Sequence, residues 1–292
     1  MIERFGWSDH TRWIALAAKV LRLRLANVTA VFYDNGIQTL TIKGWVAAQY
    51  YPTSIIREYG DVDICVSISD YSRAVALIES AEFPSGGVDL HCELRHLDTL
   101  DWTTLYERSE SAEINGVTVR FPCPEDHLRI ICVHWLNDGG EYKERLWDIY
   151  YAVANRPATF DWEKCLGCVS ETRRGWVIAT IGLAHKYLDL PIDDLPFADE
   201  AKRIPKWLTE CLEKEWASDV RLRALHVAYR DPRFLLQQIR KRVPPNPIQS
   251  SIDTETPFDD WSRVPAQVGS IVKRIGPSLR RFQEIYRRQR SK

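Results

Sequence analysis

The run Gly60-Asp61-Val62-Asp63-Ile64-Cys65-Val66 constrains this chain more than any other segment. It reads as an apolar strand with two carboxylates at its mouth. Side chains two apart on a strand point to one face, so Asp61 and Asp63 present four oxygens to one region of space. That arrangement suits a hard divalent ion, Mg2+ or Mn2+, which takes few protein groups and completes its shell with water and phosphate oxygens.

Two further segments stand in order around it. Leu40-Thr41-Ile42 runs into Lys43-Gly44, and Val88-Asp89-Leu90-His91 lies downstream in an alternating stretch. The sequence predicts strand, glycine turn, helix, acidic strand, helix and a third acidic strand. The runs IKGWVAAQYYP, REYGDVDICV and VDLHCEL together resemble the nucleotidyltransferase superfamily of DNA polymerase beta and the antibiotic-modifying nucleotidyltransferases. Within it they look most like a family of uncharacterised nucleotidyltransferases, over roughly residues 38 to 190.

The resemblance implies metal-dependent transfer of a nucleoside monophosphate, AMP being the favoured group, from a triphosphate to a hydroxyl of a small molecule, peptide or protein, with release of pyrophosphate. It assigns Asp61, Asp63 and Asp89 as metal-binding and catalytic carboxylates, with Asp89 also taking the hydroxyl proton. Glu93 lies two strand steps beyond Asp89 on its face and is an alternative to it, and His91 between them is a candidate proton acceptor or phosphate contact. Gly44 is where the superfamily brings backbone amides to the triphosphate. Antibiotic-modifying relatives carry serine next, whereas this chain has Trp45, so Lys43 is expected to meet the phosphates as a point charge. Ser54 and Arg57, in the loop before the acidic strand, are further nucleotide-binding candidates, the guanidinium fork matching phosphate oxygens. His134 and Arg145 are expected in the nucleotide or acceptor pocket, and Arg145 and Asp148, three apart, could pair on one helical face. Family members often sit beside genes for ribosomally made, modified peptides, which makes a peptide one possible acceptor.

Bulk properties exclude several other classes. With 39 Lys plus Arg against 40 Asp plus Glu, no global field recruits nucleic acid. Seven scattered cysteines fit reduced thiols. The Cys165-Leu166-Gly167-Cys168 half-site has no second ligand pair at matching spacing, so no zinc is expected there. No apolar run reaches the length needed to span a bilayer, and the start of the chain lacks a targeting pattern; a cytoplasmic, soluble protein is expected.

The expected fold is α+β, a small mixed β-sheet nucleotidyltransferase core with flanking helices followed by an all-helical half. Helical spacing over residues 11–26 puts Trp13, Leu16, Ala17, Val20, Leu21 and Leu25 near one stripe covering the sheet. Strands are expected at 38–43, 61–68 and 87–94, and a hairpin over 112–121 turning at Asn115-Gly116. Asp70 is read as the N-cap of a helix running to residue 81. Helices follow from 125 onward. The domains expected are a catalytic one over 1–122, a helical one over 123–240 that completes the pocket, and 241–292 as a proline-containing linker with a basic C-terminal helix. Dibasic pairs there recur every seven residues, from Lys273-Arg274 to Arg287-Arg288, a stripe that would suit an acidic partner, an RNA backbone or an anionic membrane. Two alternatives stay open. One is a catalytically silent nucleotide-binding or interaction module, favoured by Trp45; the other is a toxin-like enzyme modifying tRNA or protein.

Overall fold

The computed structural model describes residues 9–80, 83, 87–94, 98–223 and 231–274. The chain divides into two compact units, one of residues 1–131 and 147–168, the other of residues 132–146 and 169–292.

The first unit is built on a three-stranded sheet of β1 (Thr39–Thr41), β2 (Val62–Val66) and β3 (Val88–Cys92), in the order β1-β2-β3. β1 runs antiparallel to β2 and β3 parallel to it, so the sheet is mixed. β2, in the middle, is buried along its whole length, which is why it reads as a nearly continuous apolar run. Its Val62, Ile64 and Val66 pack into a core with Leu21, Leu25, Val28 and Phe32 of the long helix α1 (Asp9–Asp34). The opposite face puts Cys65, with Leu40 and Ile42, against Leu94, Leu105 and Ile130. Asp63 alternates with Ile64 and therefore lies on the Cys65 side.

α1 departs from the expected stripe. Leu21 and Leu25 turn inward, but Trp13, Leu16 and Val20 face outward, with Trp13 69 % exposed. The helix extends to Asp34, and its core contacts come from this later half, carrying on through Val28 and Phe32.

Short helices α2 (Gly44–Ala48), α3 (Tyr71–Ile78) and α4 (Trp102–Glu107) join the strands. Asp70 stands at the N-cap of α3 as expected, and its carbonyl accepts from the Ala74 N–H, but its side chain bonds no helix N–H. Its carboxylate instead pairs with Arg73 and accepts from the Ser67 hydroxyl. The hairpin of β4 (Glu110–Ile114) and β5 (Val117–Phe121) turns at Asn115 and Gly116, whose φ of 51° and 76° are the two left-handed values that a tight two-residue turn requires. Ile114 and Val119 join the α1 core. Helix α5 (Pro124–Asn137) begins in this unit, and most of α6 (Leu146–Ala154) and all of α7 (Trp162–Leu166) belong to it.

The second unit is helical. α8 (Glu171–Leu188) starts at Ser170, whose hydroxyl accepts from the Arg173 N–H, and stops at Asp189 in the left-handed conformation. Its buried Trp176, Ile178 and Ile181 lie in a unit that also contains α9 (Ala198–Ala201), α10 (Lys206–Trp216), α11 (Pro232–Arg242), α12 (Pro247–Thr254) and a helix over 264–274. α12 lies within the stretch expected to be an extended linker. Pro247 occupies the first helical position and Asn246 caps it, so a proline-rich composition here marks a helix start. Ile248 and Ile252 of α12 are buried. The basic pairs beyond residue 274 lie outside the described residues. Among the described residues, no helix is long and apolar enough to cross a membrane.

Candidate active site

The sheet order sets up the site. The β2–β3 register pairs Asp63 with Asp89 and Cys65 with His91, so the two carboxylates stand on neighbouring strands and the imidazole is two residues along on the Asp89 face. On the other side of β2, the β1 backbone is tied to Asp63 by the Ile42 N–H donating to its carbonyl at 3.1 Å, and Lys43 follows directly. Asp63 thus has a lysine on one flank and Asp89 with His91 on the other.

Their side chains converge. Lys43 Nζ lies 2.5 Å from Asp63 Oδ1 and 3.3 Å from His91 Nε2. His91 Nε2 lies 3.1 Å from Asp63 Oδ1 and 3.2 Å from Asp89 Oδ2. Donor atoms of Asp63, Asp89 and His91 all fall within 4.8 Å of one another, the spacing of a possible metal site. Asp63 is buried and Asp89 exposed, so the cluster opens at the Asp89 edge. Burial alone would raise the Asp63 pKa. The hydrogen bond from His91 and the charge of Lys43 outweigh it and hold the carboxyl below its usual range. Burial likewise works against the charged form of His91, but the two carboxylates prevail and raise its pKa.

The turn holding Lys43 is unusual for a residue with a side chain, at φ 57° and ψ −121°. It is fixed from both sides: the Lys43 N–H donates to His127 Nε2 at 3.2 Å, and the Lys43 carbonyl accepts from the Ala47 N–H at 2.7 Å. Gly44 follows because a Cβ there would come within 3.3 Å of Tyr59. Trp45 is turned toward the α1 core, its ring edge-on to Phe121 at 5.5 Å.

A model of the family described as uncharacterised nucleotidyltransferase matches residues 3–188. The chain belongs to that family. Among solved structures, an antigenic nucleotidyltransferase-like protein from Paracoccidioides brasiliensis is similar at 14 % identity with a TM-score of 0.41, over 62 % of this chain and 92 % of that one. No curated protein matches the sequence.

The other residues that this nucleotidyltransferase family member was expected to use are distributed as follows. Asp61 stands immediately before β2 and is exposed, outside the group formed by Asp63, Asp89 and His91. Ser54 is exposed in the loop before β2. Glu93 accepts from the Ile68 N–H. Arg57 is bound in a fork to Asp148, with Nε–Oδ1 at 2.9 Å and Nη2–Oδ2 at 2.6 Å, and the Tyr51 hydroxyl donates to the same carboxylate at 2.7 Å. Arg145 does not take Asp148 as the spacing proposed. It pairs with Asp138 at 2.9 Å and meets His134 Nε2 at 3.2 Å, within the second unit.

Two groups escaped the sequence reading. His127, fully buried, holds the Lys43 backbone; standing between Glu125-Asp126 and Leu128-Arg129, it carried no mark of burial in the sequence. The second is the buried Arg129, whose fork takes Asp98 at 2.7 Å and Asp126 at 2.5 Å. Asp98 and Arg129 are 31 residues apart, a separation at which no local pattern exists to be read.

Proposed function

We propose that the chain is a metal-dependent nucleotidyltransferase moving a nucleoside monophosphate, AMP in the first instance, from a triphosphate to a hydroxyl of a small molecule, peptide or protein. One observation carries the reading: in a member of this family, Asp63, Asp89 and His91 converge from paired strands with Lys43 against them. The donor set fits a divalent ion, two carboxylates and an imidazole gathered at an open sheet edge. Bound Mg2+ or Mn2+ would neutralise the triphosphate and favour ionisation of the acceptor hydroxyl. Asp63 and Asp89 would hold it, with Asp61 as an additional carboxylate at the mouth of β2.

The chain's own side chains account for the rest. The acceptor oxygen bonds to the α-phosphorus as the bond from that phosphorus to the bridging oxygen breaks, and pyrophosphate leaves with the electron pair. Asp89, the exposed carboxylate, takes the hydroxyl proton. Lys43 exchanges Asp63 for a phosphate oxygen, its flexible stem letting the ammonium move while His127 keeps its backbone fixed. Gly44 and Ser54 border the triphosphate, and Arg57 steadies the loop before β2 through Asp148.

The Lys43–Asp63 pair also favours a second reading, in which the lysine serves as a permanent counter-ion and the chain is a catalytically silent nucleotide-binding module. Calorimetry with a nonhydrolysable ATP analogue separates the two. Metal-dependent binding that Asp63→Asn weakens by about tenfold or more, followed by pyrophosphate release from ATP once an acceptor is supplied, supports transfer. Binding that ignores metal supports the silent module, and no binding of any triphosphate sinks both.

A further inference from the structure

We infer that the ion of this site is bound through a nitrogen, His91 Nε2, together with Asp63 and Asp89, which makes it a site for Mn2+ or a later transition ion in preference to Mg2+. The inference rests on the proposed nucleotidyltransferase reading and adds to it the identity of the ion and its third ligand.

The geometry supports it first. Nε2 lies 3.1 Å from Asp63 Oδ1 and 3.2 Å from Asp89 Oδ2. Neighbouring donors on an octahedral ion with bonds of about 2.1 Å stand about 3 Å apart, so the imidazole is already spaced as a ligand beside each carboxylate. Register supports it second. Asp89 and His91 are two apart on β3 and share a face, and β2 pairs Asp63 directly with Asp89. Three donors therefore converge from two adjacent strands with no rearrangement of the backbone.

Lys43 is the third argument. Its ammonium lies 2.5 Å from Asp63 Oδ1, so the carboxylate oxygen that would ligate an ion already faces a cation, and His91 Nε2, whose N–H now serves the two carboxylates, gives up that proton when the ion takes its place. Asp61, the second carboxylate of the acidic pair, is not in the group, and the third donor is an imidazole. Magnesium demands oxygen and binds imidazole poorly; Mn2+ accepts a mixed shell, and affinity for such a site rises from Mn2+ toward the later divalent ions.

The test uses the full chain without nucleotide. Mn2+ and Mg2+ are titrated calorimetrically into wild type and His91→Asp, which exchanges the nitrogen for a third carboxylate. In parallel, electron spin echo modulation of the Mn2+-loaded wild type is recorded with ordinary and with isotopically labelled histidine nitrogen. We expect modulation from a directly bound nitrogen that changes with the label, and a preference for Mn2+ over Mg2+ that falls by about tenfold or more in His91→Asp. Mn2+ bound with no histidine nitrogen, or an unchanged preference in His91→Asp, overturns the inference and leaves the nucleotidyltransferase reading standing. Failure to hold any divalent ion, alone or with the ATP analogue, overturns both. The labelled wild type decides the question even if His91→Asp does not fold.

Discussion

Asp63 is a carboxylate buried next to a lysine of low exposure, and each charge depends on the other. Asp63→Asn should weaken metal-dependent binding of the ATP analogue by about tenfold or more, and should also lower unfolding free energy by about 1–3 kcal/mol because Lys43 loses its counter-charge. Calorimetry and denaturant titration on the same samples read both effects. Lys43→Met removes the cation that competes for Asp63. It should raise affinity for Mn2+ in the absence of nucleotide by about tenfold, while weakening the triphosphate, which loses a positive contact. Equal Mn2+ affinity in the two proteins would mean that the ammonium does not oppose the ion. The candidates Asp63, Asp89 and Lys43 could be marked in the sequence because three short motifs stand in order around an alternating strand. Which side chains meet could not. The approach of Lys43 to Asp63 depends on a left-handed lysine that His127 stabilises from 84 residues away, and nothing local to Lys43 announces it.

At the scale of elements, β2 was legible because a central strand buried on both faces must be apolar except where chemistry intervenes. The hairpin was legible because Asn-Gly supplies two left-handed residues. α12 was not, since prolines at a helix start resemble prolines in a linker, and of the α1 stripe only Leu21 and Leu25 turn inward, because the early turns carry their apolar residues outward. Helix α5 places His127 in a fully buried position, and burial lowers its pKa from 6.5 to about 3, with the nearby Asp148 opposing the shift and Arg57 adding to it. The folded state therefore keeps this imidazole neutral where the unfolded chain would protonate it. Its contribution to stability is complete above about pH 6.5 and is lost as pH falls toward 3, at up to about 1.4 kcal/mol per pH unit. Unfolding free energies measured between those limits should depend less steeply on pH in His127→Asn, by about one proton. The loop before β2 hangs on the Arg57–Asp148 fork. Asp148→Asn should cost about 3 kcal/mol by leaving a largely buried guanidinium without its anion, and pairing it with Arg57→Met should recover much of that loss. Thermal or denaturant unfolding of the single and double variants decides it.

Across the whole molecule, the sequence marked a sheet-bearing part and a helical part by the change from period-two to helical spacing, but spacing carries no record of which helices join which compact unit. The chain visits the first unit, leaves it for residues 132–146, and returns for 147–168. A product ending at 146 should be more sensitive to protease at the loop around Arg57 than one ending at 168, because only the longer one contains Asp148. The same route bears on synthesis. A ribosome delivers residues in order, and domains generally complete their folding as whole units while the chain emerges. Arg57 and Tyr51 must therefore wait, unmatched, through about ninety further residues of translation before Asp148 appears. During that interval the nascent sheet has its acidic centre but not the anion that ties down its entrance loop, and the pace of elongation through that stretch sets how long it stays so.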